Sequence, residues 1–282
     1  MGSYLLYLTA SVAVRFLPTV IAEQIAGIIA FLFYIFRPEI RHNVKRNFEA
    51  LNIRNTRTFA VFKNFSKTIT DFLKLNPERR EELQRRCRIH GMTHLDRVLR
   101  GGKGAILITP HLGPWEIAGA CLASLGYRVH TVALEHPSPQ VTKFFSSRRE
   151  PWGIKDYPLG ESVSKLLQAL RDGEVVVLLI DRRFSTRGIP LPFLGRDIPL
   201  PDGHIVLSMR TGSPLLPCWC YYTDDGSIEG YIDEPVELGG DEIPPVEIGA
   251  RCLQRIEKYI RAHPEQWFAF DHLWPNDQDT RV

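Results

Sequence analysis

From residue 104 onward, short apolar runs alternate with helical stretches, and that alternation restricts the fold more than any other feature of the chain. GAILITP is an apolar run bounded by glycine and proline, the pattern of a buried strand. WEIAGACLASLG predicts a helix closed by Gly126, and YRVHTVAL the next strand. A helix over 138–150, a short strand over 153–157 and a helix over 161–172 stopped by Gly173 follow. EVVVLLID reads as a second buried strand. GIPLPFLGRDIPLP is a proline-rich excursion, after which come a helix over 203–211, strands over 214–223 and 227–233, and a closing helix over 246–262. Upstream, Ile40, Val44, Phe48 and Leu51 recur at helical spacing, as do Phe62, Phe65, Ile69, Phe72 and Leu73, so 39–75 is helical. PERREELQRRCR reads as a short charged helix or linker. Strands alternating with helices build an α/β domain with a mainly parallel central sheet flanked by helices.

Residues 4–36 are strongly apolar, interrupted by Arg15, Pro18, Glu23 and Gln24. The densest run, IAGIIAFLFYIF, is shorter than the ~20 residues that span a bilayer, and no small-residue cleavage site follows a charged start. The expectation is a retained membrane-associating helical segment: a broken hairpin, an interfacial helix or one tilted span. Behind it Arg37, Arg41 and Lys45 repeat every four residues and share a helix face. Such a face favours an anionic membrane surface by about 1 kcal/mol per residue.

The net charge of +3 and the lack of an aromatic-studded basic stripe do not point to nucleic acid. Cys87, Cys121, Cys218, Cys220 and Cys252 form no CxxC pair, and such scattered thiols read as reduced, buried and inert. The histidines show no metal-ligand spacing with Cys, Asp or Glu, so no metal is expected.

The chemistry concentrates in ITPHLGPWE. His111 stands just past the end of a predicted strand, where α/β sheets place their sites. Pro114 suits a first helical turn, which puts Glu116 on that helix. Five residues apart on one continuous helix, the two side chains would point away from each other; the Gly113-Pro114 break is what lets them approach. A carboxylate on one imidazole nitrogen fixes the tautomer and leaves the other as a base. No GxSxG elbow supplies a nucleophile, so the base would act directly on a substrate hydroxyl or amine. Spacing alone equally allows a capping histidine and a glutamate compensating the helix dipole.

A membrane-seeking helix, a basic helix and then strand–HxxxxE–helix resembles the lysophospholipid acyltransferase superfamily. Within it the chain looks most like the branch of late (lauroyl/myristoyl) lipid A acyltransferases and phosphatidylinositol mannoside acyltransferases. RHNVKRNFEAL resembles the family's basic helix, Arg149 falls four residues before Gly153 as in a family block, and VVLLIDRR resembles its apolar strand ending in Asp, here Asp181. Phe193, Gly195 and Gly203 match a Phe-Gly-x(n)-Gly block, and HPEQW the closing signature. The tail FAFDHLWP and the basic loop DRRFSTRG depart from the usual pattern.

The resemblance implies transfer of a fatty acyl group from acyl-CoA or acyl carrier protein to a hydroxyl of a membrane glycolipid, at the cytoplasmic face of the inner membrane. The acyl thioester is a substrate, and no cofactor is expected. His111 would take the acceptor proton, Glu116 would orient the imidazole, and N–H groups near Gly113 and the helix start would hold the oxyanion. Arg149, Arg182, Arg183 and Arg187 are the candidates for binding phosphate, with Asp181 orienting an arginine; a second catalytic role is the alternative for Asp181. Trp115, Glu265 and Trp267 read as structural. The implied division is a membrane-associating segment over 1–36, a basic helical region over 37–100 packing on the catalytic domain, and an α/β catalytic domain over 101–282. Two rival readings remain open: a glycerolipid acyltransferase, although no FPEG block is present, and a non-catalytic lipid- or acyl-carrier-binding protein on the same fold.

Overall fold

Residues 2–53, 57–133, 136–183, 188–237 and 243–274 are described by the computed structural model. Four helices come first: α1 (Gly2–Phe16), α2 (Thr19–Phe36), α3 (Pro38–Ala50) and α4 (Thr58–Lys74). Next are α5 (Arg80–Arg86), β1 (Cys87–His90), α6 (Met92–Leu99), β2 (Ala105–Thr109), α7 (Trp115–Ser124) and β3 (Val129–Ala133). Then come α8 (Pro139–Arg149), β4 (Ile154–Pro158), α9 (Ser162–Arg171), β5 (Val175–Leu179), β6 (Ile189–Phe193) and β7 (Arg196–Leu200). The chain continues through α10 (Gly203–Thr211), β8 (Leu215–Tyr222), β9 (Ile228–Ile232) and α11 (Pro245–Ala262).

Seven strands form one sheet in the order β1-β9-β8-β2-β5-β3-β4, parallel at every pairing except β8 with β9. The expected α/β class is what the chain adopts. Helices α5, α6 and α7 cover one face, and α9, α10 and α11 the other. All five residues of β2 are buried, the consequence of a central strand covered on both sides.

Two elements differ from the sequence reading. β1 hides in the charged run before residue 90: four residues long, it pairs with β9 at the edge of the sheet. The proline-rich excursion is an antiparallel hairpin, β6 with β7, in which Pro190 stands opposite Pro199. A two-stranded hairpin has only edge strands, where proline's missing N–H is tolerated.

Pro18 separates α1 from α2. Helix α2 is long and apolar enough to cross a membrane by length and composition, but it lies along α4 from end to end. Lys74 at the last turn of α4 bonds the Leu17 carbonyl at 3.2 Å and the Thr19 hydroxyl at 2.8 Å. At the other end, Tyr34 packs its ring on Phe59 and Phe62 and bonds the Thr58 hydroxyl. The opposite face of α2 is bare, with Ile21, Ile25, Ile28, Ile29, Leu32 and Phe36 exposed.

Candidate active site

β2 and β5 are parallel neighbours in the register Thr109↔Leu179. Two residues beyond each of these lie His111 and Asp181, so the register itself brings them side by side. His111 Nδ1 stands 2.7 Å from Asp181 Oδ1, and the His111 backbone N–H donates to Oδ2 at 3.0 Å. The indole Nε1–H of Trp267 donates to the same Oδ2 at 2.8 Å. Asp181 is fully buried, and the His111 side chain is 11% exposed. Burial acts to raise the Asp181 carboxyl, but the neighbouring imidazole and these hydrogen bonds outweigh it and hold the group below the usual carboxylate range. An ionised Asp181 favours the imidazole tautomer that carries its proton on Nδ1.

This corrects two sequence expectations. The carboxylate on Nδ1 is Asp181, where Glu116 was expected, and the partners of Asp181 among the described residues are this imidazole, a backbone amide and an indole, where an arginine was expected. Glu116, on the first turn of α7, takes a two-pronged ion pair from Arg149, with Nε at 3.0 Å and Nη2 at 2.5 Å. Arg149 also reaches Asp156 at 2.9 Å. Burial acts to lower the Arg149 guanidinium, and Glu116 with Asp156 outweighs it, so its pKa is raised. Arg149 is thus engaged by two protein carboxylates and stands in a buried clamp, where a phosphate ligand was expected. Arg182 pairs at 2.6 Å with the exposed Asp271, Arg183 is exposed, and Arg187 lies outside the described residues.

The loop carrying His111 is stitched to the closing HPEQW segment. Gly113 N–H donates to the Gln266 carbonyl at 2.8 Å, Phe268 N–H to the His111 carbonyl at 2.9 Å, and Leu112 bridges Trp267. That bond occupies the Gly113 N–H, so of the donors expected near Gly113 and at the helix start this one is turned to the closing segment. Gly113 has φ +59°, and a Cβ on it would lie 2.2 Å from the Cys220 carbonyl oxygen, so glycine alone fits. From the other side, asparagines hold the same segment. Asn64 donates to the Glu265 carbonyl, Asn47 to those of Ala269 and Asp271, and Asn43 to that of Phe270. Sequence reasoning missed Trp267 as a partner of the site and these asparagines as its support. The available signal was Asn43, Asn47 and Asn64 inside otherwise good helices, where asparagine is unfavourable unless its amide is used.

Trp115 stands edge-on to the His111 ring, with centroids 5.3 Å apart, and also lines an apolar cavity of about 70 Å³ that is partly open to solvent. The cavity lies between α7, through Ala118, Gly119 and Leu122, and alternate residues of the sheet: Val177, Thr109, Cys218, Gly230 and Ile89. Burial pushes the Cys218 thiol up to about 12, so this cysteine is no nucleophile at neutral pH.

A histidine held by a buried carboxylate, near an apolar cavity, in a chain that carries an apolar N-terminal helix, accords with one comparison. The family profile described as bacterial lipid A biosynthesis acyltransferase matches residues 1–276. The chain belongs to that family. Among curated proteins, the phosphatidylinositol mannoside acyltransferase of Mycobacterium tuberculosis is 31% identical over 193 residues, covering 67% of this chain and 60% of the relative. Its counterpart in Mycolicibacterium smegmatis is 29% identical over 189 residues, 65% and 61% of the two chains. The lipid A biosynthesis acyltransferase of Haemophilus influenzae is 25% identical over 193 residues, 67% and 59%. The matches therefore span about three-fifths of each relative's length.

Proposed function

We propose that the protein transfers a fatty acyl group from an acyl thioester, carried by coenzyme A or acyl carrier protein, to a hydroxyl of a membrane glycolipid. The observation that carries this reading is the His111–Asp181–Trp267 array, which Trp115 joins to an apolar cavity by packing on His111 and lining that cavity. His111 Nε2 takes the proton of the acceptor hydroxyl as its oxygen attacks the thioester carbonyl. Asp181 holds the imidazole in the required tautomer and stabilises the cation that forms, the role a buried carboxylate has on a general base. The tetrahedral intermediate then expels the thiolate, which recovers the proton from the imidazolium, leaving the ester and the free thiol. Acyl carbons lie in the chamber beside Trp115. A glycolipid acceptor is supported by the relatives' names, phosphatidylinositol mannoside and lipid A.

Membrane attachment follows from the bare face of α2, with Arg37 just before α3 and Lys45 on it both exposed. A helix fixed to the catalytic unit along its whole length lies in the plane of the interface; it does not span. On this reading Ile28→Glu with Phe36→Glu releases the protein from anionic vesicles, and retention would place the anchor elsewhere.

The function is tested by thiol release from acyl-CoA and acyl-carrier-protein donors, with and without membrane lipid extract, for wild type and His111→Ala. Release that rises with lipid and falls at least about 1,000-fold in the variant supports the reading. Equal release by both proteins, or none with any donor, would overturn it in favour of a lipid-binding protein.

A further inference from the structure

On one wall of the chamber a side chain is missing where the strand pattern calls for one. Ile228, Gly230 and Ile232 alternate along β9, and both isoleucines are buried in the core on the α7 side of the sheet. The residue between them, Gly230, lines the chamber. Its backbone does not require glycine: its φ is not positive, and an added Cβ would meet the Arg88 carbonyl and Ile89 at 3.5 Å, an ordinary contact. Gly113, a few ångströms from a carbonyl it could not otherwise pass, is the opposite case. Glycine in a strand interior is destabilising and often marks a close approach by a ligand. What Gly230 leaves is room.

The register says where that room lies. Gly230 faces Cys220 on β8 and Ile89 on β1, so the row Cys220–Gly230–Ile89 crosses the last three strands of the sheet. The chamber begins beside His111 at Trp115 and Thr109, and β8 then β9 follow β2 in strand order. Small residues on the facing helix, Ala118 and Gly119, keep the space open from the other side.

We propose that Gly230 sets the acyl length that the protein accepts, a specificity determinant that rests on the acyltransferase reading above. Two strand steps from β2 to β9 are about 10 Å, roughly the length of eight methylene groups. Short acyl chains end before Gly230, whereas longer ones lie across it toward Ile89. A side chain at 230 therefore shortens the chamber without touching His111 or Asp181.

The experiment is the acyl-length profile of thiol release for wild type, Gly230→Val and Ile89→Ala, with donors of about eight to sixteen carbons. Gly230→Val keeps turnover of the shortest donors within about threefold and loses at least about tenfold on the longest, while Ile89→Ala shifts preference to longer chains. Valine is a better strand former than glycine, so the Tm of Gly230→Val should equal or exceed that of wild type. An unchanged profile in a folded Gly230→Val, or an equal loss at every length, overturns the proposal. If wild type turns over no donor, the acyltransferase reading fails by itself. Calorimetric binding of non-hydrolysable acyl-thioether CoA then decides about Gly230: length-selective loss in Gly230→Val supports it, and equal affinities or no binding to either protein overturn it.

Discussion

Two carboxylates flank the turn between β2 and α7, in contrasting company. Asp181 is fully buried, accepting from an imidazole, a backbone amide and an indole. Glu116 is partly buried against a guanidinium that it shares with Asp156. An imidazole that becomes a cation during a reaction gains from an adjacent carboxylate that has no other cation to serve. A carboxylate already neutralised by arginine offers less to a neighbouring charge and more to rigidity, since a bidentate pair fixes both side chains. The geometry therefore separates a carboxylate suited to proton transfer from one suited to holding the start of α7 on the end of α8.

That contrast can be broken experimentally. The largest effect on stability is expected from Arg149→Met, which leaves Glu116 and Asp156 without their cation. Breaking a buried pair by removing one partner costs about 3–5 kcal/mol. Adding Glu116→Gln to that variant should restore part of the loss, and strict additivity in denaturant melts would show that the pair is not coupled. Next comes Trp267→Phe, which removes one donor from Asp181 and should lower kcat with KM little changed. A hydrogen bond to a charged group is worth about 1.5–3 kcal/mol, so unaltered kcat would detach Trp267 from the site.

The third effect is pH-dependent. The folded Asp181 carboxyl titrates below its unfolded value, so its stabilising contribution is present above about pH 4 and is lost as the pH falls through the folded pKa. Tm should accordingly fall less steeply below about pH 4 in Asp181→Asn than in wild type, and parallel curves would contradict the depressed pKa. The smallest effect belongs to Arg182→Ala. Its partner Asp271 is 76% exposed, and such a pair is worth about 0–1 kcal/mol. Tm should barely move, and a rise in donor KM would mark Arg182 as a phosphate contact.

The sheet was legible because its strands are short apolar runs fenced by Gly and Pro, and helix 203–211 was read with its observed bounds. The β6–β7 hairpin and β1 were not, since prolines and charges mask edge strands whose pairing is decided by tertiary neighbours. His111 could be found because a polar residue at the end of a buried strand stands out. Its partner could not be found by spacing. Glu116 is near in sequence, whereas Asp181 is near because two parallel strands are in register, and register is a property of the sheet. Trp267 comes to the site through backbone bonds between two loops far apart in the chain, which no local pattern encodes.

The most direct test of the account sets Asp181→Asn beside Glu116→Gln, both checked for native circular dichroism, in acyl transfer at saturating donor and acceptor. The account predicts that Asp181→Asn loses at least about 100-fold in kcat, with KM close to wild type, and that Glu116→Gln loses markedly less. A folded Asp181→Asn with near-normal kcat, or a Glu116→Gln that is the more damaged of the two, would contradict it.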